Sequence, residues 1–119
     1  KARTAFEDLE KTATGELKAE SIYYNGYFLN QDGNYKNSNE VIQKLASTYS
    51  NYRYWGAKGL IVMAKNYYGL GDLYQATYIL ESVMKNFSEY DDVVQEAKIE
   101  LQKIKQEAKK TNESVIQEN

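Results

Sequence analysis

The chain has 119 residues, 42% of them apolar, and a net charge of −2, which suits one domain with a modest core. Lacking a basic excess, it has no field to draw in nucleic acid or anionic lipid. It contains no Cys and no His, which removes disulfides, thiolate metal sites and the commonest general base.

Apolar residues recur at helical spacing almost throughout, and the chain has no Pro to interrupt them. Ala5, Phe6 and Leu9 begin an amphipathic stretch that ends near residues 12–15. Ala19, Ile22, Gly26 and Leu29 follow at three- and four-residue steps, with Tyr23 and Tyr27 beside them. Asp32-Gly33-Asn34 then breaks the helix with residues that accept left-handed backbone geometry. Tyr35, Val41, Ile42, Leu45 and Tyr49 predict the next helix, which ends near Ser50-Asn51. Ala57, Leu60, Ala64 and Tyr67 form a fourth stripe that stops at Gly71-Asp72, and Leu73, Ala76, Leu80, Val83 and Phe87 form a fifth. The last stripe is Val94, Ala97, Leu101, Ile104 and Ala108, after which residues 111–119 read as a flexible tail.

The middle of the chain repeats. Gly33-Asn34 and Gly71-Asp72 lie 38 residues apart (33 to 71), and the same offset pairs Ala19 with Ala57, Ile22 with Leu60 and Gly26 with Ala64. It also pairs Ser38 with Ala76, Ile42 with Leu80, Leu45 with Val83 and Tyr49 with Phe87. Small residues thus recur where two helices would cross, and large apolar ones where they would fill the space beside the crossing.

A helix–turn–helix unit of this length, with a small residue in each helix and Gly-Asn or Gly-Asp between, resembles the tetratricopeptide repeat. The second unit carries the pattern as Leu60, Met63-Ala64, Tyr67, Gly71-Asp72, Ala76, Leu80 and Val83. The first carries it as Ile22, Asn25-Gly26, Leu29, Gly33-Asn34, Ser38, Ile42 and Leu45. The period is 38 rather than the usual ~34. Ser50 and Ser88 stand where the family closes a unit with Pro, and Asn25 where it has Leu. The longer period is similar to repeats in bacterial cell-envelope proteins, among them outer-membrane assembly lipoproteins and periplasmic coordinators of envelope constriction.

The resemblance implies an all-α fold of helix pairs stacked as a short right-handed α-solenoid. Residues 1–15 would hold the second helix of a truncated earlier repeat, 16–52 and 53–89 the two repeats, and 90–110 a capping helix. It implies a non-catalytic scaffold for a protein or peptide partner, without cofactor or metal and without nucleic acid. The start at Lys1 rather than Met points to a piece of a larger protein, on the periplasmic side of a bacterial envelope or in the cytoplasm. Membrane contact would come only through a lipid anchor upstream, since the longest apolar run, 60–64, is far short of the ~20 residues of a bilayer span.

The family's working surface is the concave face lined by the first helix of each pair. On that face the register puts Tyr23, Tyr27 and Asn30 of the first unit and Ile61, Lys65 and Tyr68 of the second. The last helix adds Gln95, Lys98, Gln102 and Lys105. Tyrosine suits such a face, having a large apolar body, one polar tip and few rotamers to freeze. With 12 Tyr in the chain, the same residues could instead pack between helices. Gly26, Ser38, Ala64 and Ala76 are the expected small-residue slots. Trp55, between the two units, is expected in inter-repeat packing, with Gly56 leaving room for close contact. Asp91-Asp92 reads as an acidic helix start. The alternative to a scaffold is an oligomerisation module that docks its own repeats or sister chains through the 3–13 end or a tyrosine-rich face.

Overall fold

A computed structural model describes the backbone of residues 2–118 and the side chains of residues 2–110. The chain is all-α. Among the described residues it forms six helices: α1 (Ala2–Thr12), α2 (Gly15–Gln31), α3 (Tyr35–Ser47), α4 (Arg53–Gly69), α5 (Leu73–Asn86) and α6 (Asp91–Glu118). The backbone of α6 continues past Lys110, where the apolar pattern stops. The side chains of the segment expected to be a flexible tail lie outside the described residues, as does all of Asn119.

Each helix packs on the next, and in addition α2 packs on α4 and α4 on α6. The even-numbered helices therefore form one layer and the odd-numbered helices a second. The dimensions, 56 × 30 × 22 Å, agree: the shortest equals two helices, each about 10–12 Å across.

The two inner turns are built alike. Asn34 N–H donates to the Leu29 carbonyl and Gly33 N–H to that of Asn30, both at 2.9 Å. Asp72 N–H donates to Tyr67 at 2.8 Å and Gly71 N–H to Tyr68 at 3.0 Å. Each pair closes a Schellman turn, which needs one residue in left-handed geometry. Gly33 at φ 77° and Gly71 at φ 87° supply it. Asp72 then caps α5 by accepting from Gln75 N–H at 3.1 Å.

The core falls into two clusters joined through α4. Ala19, Ile22, Tyr23, Ile42, Leu45, Val62 and Met63 form one. Ala57, Ile61, Ala64, Ala76, Leu80 and Val83 form the other with Val93, Ala97, Leu101 and Ile104 of α6. Leu60, Tyr67 and Ile79 touch both. On α6 the buried stripe begins at Val93, whereas Val94 and Ala108, placed in it from sequence, are half-buried.

Gly26, Ser38, Ala64 and Ala76 are all buried. Ser38 Oγ donates to the Gly26 carbonyl at 2.6 Å, and a Cβ on Gly26 would lie 2.4 Å from Ile42 Cδ1. The close approach expected at Gly56 occurs at Gly59 instead. A Cβ at Gly59 would lie 2.9 Å from Leu45 Cδ1, while one at Gly56 would meet nothing within 4 Å. Gly56 borders a cleft of about 280 Å³ lined also by Leu45, Leu60, Met63 and Phe87.

Candidate partner-binding face

The six candidate binding residues sit on the even layer, Tyr23, Tyr27 and Asn30 on α2 and Ile61, Lys65 and Tyr68 on α4. Two of them are core rather than surface. Tyr23 is 5% exposed and Ile61 0%, so neither can touch a partner. The cause is the stacking of the even helices. Trp55 and Lys58 of α4 close over Tyr23, with the Trp55 ring centroid at 5.5 Å and Lys58 Nζ 5.5 Å above the tyrosine ring. Burial and the nearby Glu96 carboxylate push the Tyr23 hydroxyl pKa well above its ordinary value. The Val93–Ile104 stripe of α6 covers Ile61 in the same way.

Asn30 is half-buried but faces inward, into a polar network. Its Nδ2 donates to Asn66 Oδ1 at 2.9 Å. Asn66, itself fully buried, donates to Ser38 Oγ and Asn39 Oδ1, each at 2.8 Å. This network pins α2, α3 and α4 to one another.

Tyr27, Lys65 and Tyr68 are half-buried and keep accessible surface. The last two belong to a polar seam that runs between α4 and α6. Tyr54 Oη donates to Asp92 Oδ2 at 2.6 Å, and Lys58 Nζ donates to Glu96 Oε1 at 2.9 Å. Lys65 Nζ lies 3.9 Å from Glu100 Oε1, and Tyr68 Oη donates to the Glu107 carboxylate. The bonds to Asp92 and Glu107 hold the Tyr54 and Tyr68 protons, raising both pKa values, and the Tyr54 bond lowers that of Asp92. For Lys58, burial opposes the charge, but the bond to Glu96 and its field outweigh burial and raise the pKa.

Sequence reading put Gln95, Lys98, Gln102 and Lys105 on this side of α6; all four are exposed, and the acids Asp92, Glu96, Glu100 and Glu107 face α4 instead. The repeat offset could have found two of them, since 54 and 58 advance by 38 to 92 and 96. Asp92 is thus more than an acidic helix start. Arg53 was also missed. Its Nε donates to Glu89 at 2.9 Å and its Nη2 to the Asn86 carbonyl at 2.8 Å, while the guanidinium lies 4.6 Å over the Phe87 ring.

Aromatic rings extend the face across the layer. Phe6 of α1 stacks on Tyr24 at 4.4 Å, and Tyr24 meets Tyr23 at 4.9 Å. Trp55 carries the chain to Tyr54 at 5.1 Å, and Tyr54 to Tyr90 at 5.3 Å. Trp55 thus packs between the units, and every ring in this chain except Tyr23 is half-buried, leaving a continuous aromatic edge. Tyr27 lies beside it, 6.3 Å from Tyr23 and 5.5 Å from Phe28.

Asn25 ties α1 to α2. Its Nδ2 donates to the Glu10 carboxylate, while its Oδ1 is buried without a partner. A leucine at this position would leave the Glu10 carboxylate hydrogen-bonded to Lys44, at 2.8 Å, and to no other described side chain. Comparison with protein-family models, with curated proteins and with solved structures finds no match to this chain.

Proposed function

We propose that the chain is a non-catalytic scaffold of tetratricopeptide-like helix pairs, stacked as a short right-handed α-solenoid, that holds an extended segment of another protein. The observation that carries this reading is the pairing scheme, in which α2, α4 and α6 make a layer of their own. That layer carries the half-exposed Tyr27 beside the aromatic edge, and the half-exposed Lys65 and Tyr68 toward the far end of α4. Such a surface suits an extended peptide, with rings stacking on its side chains while the Tyr27 hydroxyl meets its backbone. A non-catalytic role is supported by the seam itself, where each carboxylate already faces a hydroxyl or an ammonium group.

A bacterial cell-envelope setting, on the periplasmic side, rests on the similarity of the 38-residue period to envelope repeats. Among the described residues, no helix is long and apolar enough to cross a membrane. An assembly role draws on a different surface, the outer face of α5.

The test is a pull-down from the source cell followed by titration with the captured protein. Tyr27→Ala combined with Tyr68→Ala should weaken capture at least about tenfold, since interface energy concentrates in a few aromatic anchors. Helix content should stay unchanged, because both side chains are only half-buried. Undiminished capture would move the binding surface elsewhere, and a loss of helix content would make these tyrosines structural.

A further inference from the structure

We propose that the outer face of α5 is a homodimer contact, docking antiparallel on α5 of a second copy. Tyr74, Tyr78, Glu81 and Lys85 follow one another at steps of four, three and four, which puts them in one stripe on the helix. The opposite side of α5 carries the buried Ala76, Leu80 and Val83. Tyr74 is 75% exposed and Tyr78 58%. Their rings stack at 6.4 Å and 14°, forming one flat apolar surface, and Leu70 and Leu73 at the start of the helix are exposed as well.

The internal repeat supplies the control. Thirty-eight residues earlier, the same stripe on α3 reads Lys36, Glu40, Gln43 and Ser47, all exposed and all polar. Leu70 likewise stands where the first unit has the exposed Asp32. The fold therefore asks only for polar residues at these positions, and the second unit has placed aromatic and aliphatic ones there. Exposed apolar surface that the first unit does without points to a contact.

The stripe complements itself. A two-fold axis between residues 79 and 80, its midpoint, sets Tyr74 against the partner's Lys85 and Tyr78 against the partner's Glu81. Each contact then occurs twice, as in any isologous interface. Both chemistries already join helices within the chain: Lys58 lies over the Tyr23 ring, and Tyr54 donates to Asp92. Glu81 and Lys85 make no such contact among the described residues, so both are available. The stripe sums to zero charge, which fits a like copy better than an anionic lipid surface. A stable contact buries about 800 Å² per subunit; in this one Tyr78 and Glu81 lie nearest the axis, with Tyr74, Lys85 and the two leucines farther out. Because the stripe lies on the odd layer, dimerisation leaves the even layer open, and the two functions can fail separately.

Sedimentation equilibrium tests the contact. The wild-type chain should dimerise, and Tyr78→Glu, which sets carboxylate against the partner's Glu81 twice, should raise the dimer Kd at least about tenfold. Adding Glu81→Lys to that variant should restore the dimer. Circular dichroism should show all three chains equally helical, since both side chains are exposed. Should Tyr78→Glu disturb the fold, an oxidised mixture of the Tyr78→Cys and Glu81→Cys chains gives an independent measure. It should cross-link more than either chain alone, against a native background without Cys. A wild-type monomer up to the highest soluble concentration overturns the proposal, as does a dimer indifferent to Tyr78→Glu or a charge swap that fails to restore it. A monomer that co-sediments with phosphatidylcholine vesicles through Tyr74 and Tyr78 gives the face to lipid and also overturns it.

Discussion

Asn66 shows how a single residue can set the register between units. It follows Lys65, beyond the apolar run 60–64, yet it is fully buried and hydrogen-bonded to α2 and α3. A satisfied buried amide stabilises modestly, but removing it leaves its partners unpaired in a low-dielectric interior. Asn66→Ala should therefore cost about 2 kcal/mol or more, read as a lower urea midpoint. Asn30→Ala should cost about 1 kcal/mol or less, because water can reach the half-exposed side of the network. Equal losses from both would mean that the network is wetter than its geometry implies. Nothing in the sequence marked Asn66, since its partners Ser38, Asn39 and Asn30 are brought to it only by the packing of three helices.

At the scale of the helix, α4 carries two glycines three residues apart with opposite roles. Glycine in a helix interior is about 1 kcal/mol less favourable than alanine. At Gly56 a methyl group would meet open space beside the cleft. Gly56→Ala should thus stabilise by about 0.5–1 kcal/mol. At Gly59 the same methyl group would press on Leu45 and Ile42, and Gly59→Ala should destabilise by about 1–3 kcal/mol through overpacking. Thermal melts of the two variants should move in opposite directions. The helix boundaries follow from local chemistry, as the matching Schellman turns show, but the rotation of α6 does not. Both Val93 and Val94 fit a helical stripe with Ala97. What selects Val93 is the position of the first turn of α6, held where Tyr90 meets Tyr54 and Asp92 accepts from Tyr54.

Across the whole molecule, ion pairs and hydrogen bonds to charge tie helices to one another, many of them within a layer, and their pH dependence can be signed. Burial works against the charge of Glu10, but bonds from Lys44 and Asn25 and the charges of Lys44 and Lys18 outweigh it. Its pKa therefore lies below the ordinary 4.5. The folded state binds fewer protons there than the unfolded chain, so the contribution of Glu10 is complete above 4.5 and lost as pH falls through the lowered value. Lys58 runs the other way. Its pKa lies above the ordinary 10.5, so its contribution is complete below 10.5 and lost as pH rises through the raised value. With no His in the chain, the urea midpoint should be flat between about pH 6 and 8 and fall at both extremes. Glu10→Gln should lower it at neutral pH and converge on wild type in acid. A Glu10→Gln deficit that persists into acid would place the loss in packing rather than charge.

By itself the sequence determined the helical class, the number of helices, the two inner turns and the 38-residue offset. These rest on local periodicity and on glycine at two left-handed positions, and local chemistry needs no knowledge of neighbours. Which flank of each helix is covered was decided by tertiary structure alone. Tyr23, Ile61 and Ile99 stand at one register position, 38 residues apart, and no local rule separates them. Yet the first two are buried and Ile99 is 64% exposed. The difference lies in what stacks above each: α4 covers Tyr23, α6 covers Ile61, and no described helix covers Ile99. The candidate face shrank from six residues to Tyr27, Lys65 and Tyr68 for that reason, since an amphipathic period shows which side of a helix is apolar but not how far a neighbouring helix reaches around it.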